Sequence, residues 1–432
     1  MPGLLVAYAP VGACTVDRCL VSPPFVVGRG PDCHLAIRDT KVSKNHFRIT
    51  HGAEGFVLED LESTNGTFLN GRPIIGKCPV RSQSVIRVGS AVLVFVQEAS
   101  ILLEPPPIER YEMAGVFHTG PLLDELGDAA SSARHVLLAG PTGTGKELAA
   151  RAITAMTTSR TGKPLKLLAH NAARFSSAEE AAATLFGVGA RVFSGVDERA
   201  GLIARAHGGA LFIDEVHNLP ARVQRSLLRV IEDGQTARIG ETAAIPAEVR
   251  FIFASNAPGK TRGLAGDLFA RLRLVQIPPL TERIADIPRI FEAVLTKTFE
   301  SYGLNVDQVS PLLEADHFEA LCLDGFAAEN IRGLVDLADR IATRITRGTT
   351  PLRTIEAVFG GKYGDGPVSK RGAPNKTKGP RHYEDNRDLI IAAYRECNGN
   401  LSAAERLLKS RGLSCSRRWL AKYLDKWEVR DQ

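Results

Sequence analysis

The sequence predicts a multidomain chain: an all-β sandwich, then an α/β domain built around a phosphate-binding loop and closed by a helical lid, then an all-α C-terminal domain. Three observations predict it. Up to Val96 the chain runs in short alternating apolar stretches cut by Gly, Asn and Pro. From Phe117 to Pro279, β-rich runs alternate with helical ones, the pattern of a parallel sheet flanked by helices. The last fifty or so residues return to helical spacing after a basic, Gly/Pro-rich stretch. A length of 432 residues is too great for one ordinary core.

Taken in order, "HFRIT", "GFVLEDL" and "VLVFV" read as strands of a domain spanning 1–98. "LLEPPPIERY" reads as a stiff spacer within 99–114. The α/β domain covers 115–280, with strands "HVLLAG", "ALFIDEV" and "RFIFASN" and helices "KELAARAITAM" and "RVQRSLLRVIEDG". Residues 281–360 read as a helical lid, 361–384 as a flexible basic linker and 385–432 as helices again.

The composition, 44% apolar and 24% charged, is that of a soluble globular protein. No apolar run spans a bilayer, and the N-terminus lacks the basic start and cleavage site of a leader, so no membrane association and a cytoplasmic location are expected. Seven scattered cysteines without CxxC spacing predict neither a disulfide frame nor a zinc site. The net charge of +6 is concentrated in the tail, where residues 366–432 carry 15 Lys/Arg against 8 Asp/Glu. A basic end on a neutral body predicts nucleic acid as partner.

"HVLLAGPTGTGKELAARAI" is strand, glycine loop, helix. Gly140, Gly143 and Gly145 let backbone N–H groups close around phosphates, Lys146 brings charge to the β and γ oxygens, and the helix N-terminus faces them. Thr142, Thr144 and Glu147 complete the loop, Glu147 standing where the strict pattern has Ser or Thr. "GGALFIDEV" is a buried strand delivering Asp214 to a Mg²⁺ shell and Glu215 to polarise the attacking water. "RFIFASN" ends in Asn256 at the same sheet edge.

These segments, with "LFG", "LLRVIEDG", "GDLFARL" and "IPPLTERIADIP", resemble the AAA+ ATPase domain of the bacterial enhancer-binding proteins, the sigma-54-dependent transcription activators. The resemblance covers about residues 115–345 and implies ATP and Mg²⁺ as cofactors. It implies that the loop glycines and Lys146 bind phosphate, that Asp214 and Glu215 form the Walker B pair, and that Asn256 is the first sensor. Asn171 in "AHNAA" matches the asparagine that restrains the catalytic glutamate, and Arg332 in "ENIRGLVDL" matches the second sensor. Arg271 matches an arginine finger reaching the neighbouring subunit, so a homo-oligomeric ring, hexameric in the family, is implied. A second family arginine is replaced by Ala265, with Arg262 nearby but out of register, and "AAENIRG" lacks the usual Trp-Pro-Gly.

"FVVGRGPDCHLAIRDTKVSKNHFRI" followed by "DLESTNGTFLNGRPI" resembles an FHA domain, a β-sandwich that binds phosphothreonine on a kinase or other partner. The match places Arg29, Ser43, Lys44, Thr64 and Asn65 on the phosphate, with Lys41 as an extra charge and His46 and Gly66 holding the loops. The C-terminal "DLIIAAYRECNGNLSAAERLLKSRGLSCSRRWLAKYLDKWEV" resembles the Fis-type helix-turn-helix. Ser416, Arg417, Arg418 and Lys422 would face the duplex, and Trp419, Leu420 and Tyr423 would stay in the core.

After "LFG" the family carries Gly-Ala-Phe-Thr-Gly-Ala, the loop that engages sigma-54. Here the register gives Arg191, Val192, Phe193, Ser194, Gly195 and Val196. Phe and the second Gly survive, Thr becomes Ser, and the small flanking residues are replaced. Two functions follow. One is a motor that hydrolyses ATP to remodel sigma-54 RNA polymerase. The other is a DNA-binding regulator, such as a repressor, that acts without sigma-54 and uses the AAA+ domain as a nucleotide-gated assembly platform.

Overall fold

The computed structural model describes residues 1–14, 16–99, 109–115, 117–162, 165–189, 199–259, 261–362 and 387–397, and singly Ala404, Leu408 and Leu424. The chain divides into two compact units, Met1–Ile74 with Cys78–Ser369, and Ile75–Lys77 with Lys370–Gln432.

In the first unit the N-terminal region is a two-sheet β-sandwich. Strands Gly3–Tyr8, Ala91–Val96, Ser84–Val88 and Thr67–Leu69 form the body of one sheet, and Phe25–Gly28, Phe47–Gly52 and Gly55–Asp60 form the body of the other. Leu4, Val27, Phe47, Ile49, Leu58, Ile86, Leu93 and Phe95 fill the space between them. At about 25 cal/mol per Å² of apolar surface removed from water, such a core is the main force holding the sheets together.

Strand Ala91–Val96 departs from the half-buried pattern of an exposed sandwich, because all six of its residues are buried. Alternation sends Ala91, Leu93 and Phe95 into the sandwich, while Val92, Val94 and Val96 join a second core built from the lid. That core continues through Leu5 and Val85 to Ile287, Phe291, Leu295, Phe318 and Leu321 on the lid helices Ile287–Ser301 and Ala315–Asp324. Polar and aromatic contacts reinforce it. Tyr8 stacks on Phe318 with ring centroids 4.0 Å apart. Gln83 Nε2 donates to the Glu282 carbonyl at 3.1 Å. Arg87 lies over the Phe68 ring at 3.8 Å and pairs with Glu319. The sandwich and the lid are therefore one packed body, where the sequence predicted separate modules joined by a spacer. Of the spacer, residues 100–108 with the proline cluster lie outside the described residues; Glu109–Arg110 pairs with Met113–Ala114 as a small hairpin, and Ala99 is buried in the shared core.

The α/β domain is a five-stranded parallel sheet in the order Leu167–Asn171, Ala210–Asp214, Arg250–Ser255, His135–Ala139, Leu272–Gln276. Helices Thr119–Ser131 and Lys146–Thr161 cover one face, and Ala178–Phe186 and Ala221–Asp233 the other, with separate apolar cores on the two sides. Helix Ala221–Asp233 has an apolar stripe, Val223, Leu227 and Val230, at helical spacing, and Gly234 with φ 65° ends it in a left-handed cap. The carboxyl ends of all five strands thus lie along one edge, the position where open α/β sheets form their sites.

In the second unit, helix Arg387–Glu396 buries Ile390 and Ala393, and Ala404, Leu408 and Leu424 are also buried. Ser416, Arg417, Arg418 and Lys422, together with Trp419, Leu420 and Tyr423, lie outside the described residues, as do Arg191, Val192, Phe193, Ser194, Gly195 and Val196.

Candidate functional site

Strand His135–Ala139 hands the chain directly to the loop from Gly140 to Gly145, and helix Lys146–Thr161 begins at its end. Gly143 and Gly145 have φ of 78° and 95°, left-handed values that only glycine adopts without strain. A Cβ on Gly143 would lie 2.2 Å from the Glu329 carbonyl oxygen, so glycine is also needed for the lid to approach.

Three successive loop carbonyls are bonded outward to the lid. Asn330 Nδ2 donates to the Thr142 oxygen at 3.0 Å, Ile331 N to that of Gly143 at 2.9 Å, and Arg283 Nη2 to that of Thr144 at 3.2 Å. Satisfying the carbonyls on this side leaves the amide side of the loop to face an anion. Lys146 is buried, and its Nζ donates to the carbonyls of Gly140 and Pro141, each at 2.9 Å. Burial pushes its pKa down, Asp214 and Glu215 pull it up, and Arg332 pushes it down again. A phosphate would restore the balance in favour of charge. Arg332 sits beside the loop, its Cβ 3.3 Å from a Cβ built on Gly143.

Asn256, just past strand Arg250–Ser255, bridges the two halves of the site. Its Nδ2 donates to Thr142 Oγ1 at 2.8 Å and to Glu215 Oε1 at 3.1 Å. Glu215 is held at φ 52°, a left-handed value unusual for a non-glycine residue and common at functional positions. Asn171 Nδ2 donates to Asp214 Oδ2 at 3.3 Å, while Asn256 holds Glu215. The reason is register, since Asn171 stands opposite Asp214 on the paired strand. Glu147 is exposed and pairs with Arg151 at 2.7 Å, one turn along the helix, so it is not brought to the loop. Arg271 is paired with Glu232 and donates to the Asp267 carbonyl at 2.9 Å, away from this protomer's own phosphate loop. Ala265 N donates to Gln224 Oε1, and Arg262 Nη2 reaches Gln276 Oε1 at 3.4 Å.

Beside the loop a cavity of about 420 Å³ opens, lined by Met113, Thr144, Leu148, Arg283, Ile290 and Ile331. Its size falls within the range of small-molecule sites. The 109–114 hairpin forms one wall and Lys297 pairs with Glu112 at 3.0 Å across its mouth. Among the described residues no cluster of three or more His, Cys, Asp or Glu could cage a metal. Asp214 alone at a strand end suits Mg²⁺, which takes one or two carboxylates and fills its shell with phosphate oxygens and water. Sequence reasoning missed Arg283 and Asn330, both buried polar residues bonded to the loop. An arginine at the head of the largely apolar run "RIADIP" was the available signal, because arginine is rarely buried without a specific partner.

The sandwich carries a second cluster. Arg29 N donates to the Ser43 carbonyl at 2.8 Å and its Nε to that of Val42 at 3.2 Å. Thr64 N donates to Ser43 Oγ at 3.0 Å, and Asn65 Nδ2 to the Lys41 carbonyl at 2.7 Å. Arg29, Lys41, Lys44, Thr64 and Asn65 are exposed around half-buried Ser43, so cations, hydroxyls and an amide share one loop surface. His46 is fully buried beneath them. Its Nδ1 accepts from Ser43 N at 3.0 Å, which leaves Nε2–H to donate to the Gly66 carbonyl at 3.3 Å. Burial holds its pKa below the usual value. His46 and Gly66 are thus joined beneath the loops, and Gly28 permits the close approach, since a Cβ there would lie 2.2 Å from the Lys44 carbonyl.

Residues 118–278 match the sigma-54 interaction domain family and residues 25–89 the FHA domain family. The chain carries a sigma-54 interaction domain and an FHA domain. The formate hydrogenlyase transcriptional activator of Salmonella typhimurium (strain SL1344) is 32% identical over 297 residues, covering 66% of this chain and 40% of that one. The transcriptional regulatory protein XylR of Pseudomonas putida is 32% identical over 309 residues, covering 66% and 52%. A crystal structure of NtrX from Brucella abortus in complex with ATP is 26% identical with a TM-score of 0.47, covering 73% of this chain and 70% of that one. The chain spans 40% to 52% of the length of the two curated relatives named here. No helix among the described residues is long and apolar enough to cross a membrane.

Proposed function

We propose that this protein is an ATP-hydrolysing, DNA-binding regulator of transcription that acts in the cytoplasm on sigma-54 RNA polymerase. The observation that supports it most is the convergence of Lys146, Asp214, Glu215 and Asn256 at one sheet edge, beneath a lid that also bears the sandwich. ATP would lie with its phosphates on the loop amides and Lys146, and its base in the neighbouring cavity. Bound Mg²⁺, held by Asp214, would supply charge neutralisation at the phosphates. Glu215 would orient and deprotonate the attacking water, and Asn256 would sense the terminal phosphate. Arg271 would act on the neighbouring subunit of a ring, hexameric by analogy, and Arg332 on the same subunit.

The FHA domain would read a phosphothreonine placed by a kinase or carried by a partner, through Arg29, Ser43, Lys44, Thr64 and Asn65 with Lys41 nearby. Because it packs on the lid, a signal there has a direct mechanical route to the nucleotide. Ser416, Arg417, Arg418 and Lys422 would dock on DNA. The replacement of a second finger arginine by Ala265 supports another reading, a DNA-binding regulator that assembles on nucleotide without engaging sigma-54. Pull-down of sigma-54 in the presence of ADP and a phosphoryl-transition-state mimic decides between them. Nucleotide-dependent capture is expected, and its absence with DNA binding intact would refute the motor.

A further inference from the structure

His217 has no part in the roles assigned so far, yet it lies against the general base. It follows two residues after Glu215, in the short helix Val216–Asn218, and its side chain turns back toward the sheet. Its Nδ1 is 3.2 Å from Ser255 Oγ and 3.5 Å from Glu215 Oε2. The Ser255 hydroxyl has one hydrogen, and it goes to the Arg262 carbonyl at 2.8 Å. The same oxygen accepts from Ala257 N at 3.1 Å. With its proton spent, Ser255 Oγ can only accept from His217, so Nδ1 carries a hydrogen. That N–H donates to Ser255 Oγ, and 3.5 Å from the same nitrogen lies Glu215 Oε2, a buried carboxylate oxygen with no hydrogen-bond partner among the described residues.

The surrounding chain is shaped for this ring. Gly263 has φ 79°, and a Cβ there would lie 2.5 Å from His217 Cβ, so the returning loop closes over the histidine only because position 263 is glycine. Ser255 is fully buried and at the end of its strand, which fixes the hydroxyl that sets the tautomer.

We propose that His217 is a positioning residue for Glu215: its Nδ1–H, shared between Ser255 Oγ and the nearby Oε2, restrains that oxygen while Asn256 holds Oε1. The two donors on opposite oxygens fix the plane of the carboxylate. When Asn256 turns to a terminal phosphate, His217 is the contact that remains. This inference rests on the reading of Glu215 as the base for ATP hydrolysis.

The test uses the full chain and the variants His217→Ala and His217→Asn, the asparagine amide standing where Nδ1–H stood. Affinity is measured with a fluorescent ATP analogue and hydrolysis by phosphate release. Loss of a hydrogen bond to a charged group predicts a kcat about 10- to 100-fold lower in His217→Ala with nucleotide affinity unchanged, and substantial recovery in His217→Asn. In ¹⁵N-histidine spectra of the nucleotide-free protein, the His217 resonance, assigned by its loss in His217→Asn, should show hydrogen on Nδ1. A kcat unchanged in His217→Ala, a parallel loss of affinity, or a ring protonated on Nε2 alone would each overturn the proposal. A wild-type protein that binds the analogue but hydrolyses nothing would refute the ATPase reading on which it stands.

Discussion

Arg87 of the FHA sandwich and Glu319 of the lid meet at 2.6 Å, with the Glu319 side chain only 1% exposed. Burial pushes the Glu319 carboxyl above its usual range, and Arg87 pulls it back without fully offsetting that. The pair adds direction to a junction whose shared core is apolar. Arg87→Ala is expected to destabilise by about 3 kcal/mol, because it strands a buried carboxylate. Replacing both partners together, Arg87→Met with Glu319→Leu, should be near neutral by the same reasoning. Urea unfolding of the two proteins checks this; equal losses in both would mean the pair itself is a net stabiliser.

Lys146→Ala should weaken ATP binding by about tenfold or more, since it removes a charge-assisted contact to phosphate. The fold should persist, because the lysine's present partners are two loop carbonyls that water can reach once the side chain is gone. Calorimetric titration with a non-hydrolysable ATP analogue measures it, and unchanged affinity would move the nucleotide elsewhere.

Arg29→Ala should abolish measurable binding of a phosphothreonine peptide while leaving the sandwich folded, as Arg29 is exposed and, among the described residues, its side chain bonds only a backbone carbonyl. His46→Ala should weaken the same binding by a different route, by freeing Ser43 and Gly66. Fluorescence anisotropy with phosphorylated and unphosphorylated peptides separates the two, since only His46→Ala should also lower the melting temperature.

His135 predicts an acid-side loss of stability. Burial, aided by Arg250, pushes its pKa down to about 4 from 6.5. Its Nδ1 accepts from Phe251 N at 3.2 Å, which requires that nitrogen to be bare. Unfolding therefore takes up a proton between the two values. The contribution is fully present above about 6.5, falls as pH drops toward about 4, and changes no further below that. His135→Asn keeps an acceptor and cannot titrate, so its urea midpoint should depend less on pH across that window than the wild type's.

Much of the nucleotide site was legible because its chemistry is local. Glycines at forced left-handed turns, a lysine opening a helix and acids ending an apolar strand are readable without tertiary information. Where a contact was not legible, the deciding relation was between strands. Asn171 bonds Asp214 because parallel pairing sets them side by side, and a one-residue offset separates that outcome from contact with Glu215. The union of FHA domain and lid left one trace, "AVLVFV", six apolar residues in a row where a sandwich with one wet face would alternate. Read as an ordinary strand, that run hid the second surface it packs on. The role of His217 depends on a hydroxyl thirty-eight residues away and on the direction of its one hydrogen, which no pattern in the chain encodes.

The shared core has a practical corollary for any shortened version of the protein. Deleting residues 1–98 would strip Leu5, Val85, Val92, Val94 and Val96 from the lid and leave Phe318 and its neighbours facing water. Such a truncation would present a sticky flank and tend to aggregate. Its behaviour would mix the silence of a missing sensor with the damage of an uncovered scaffold.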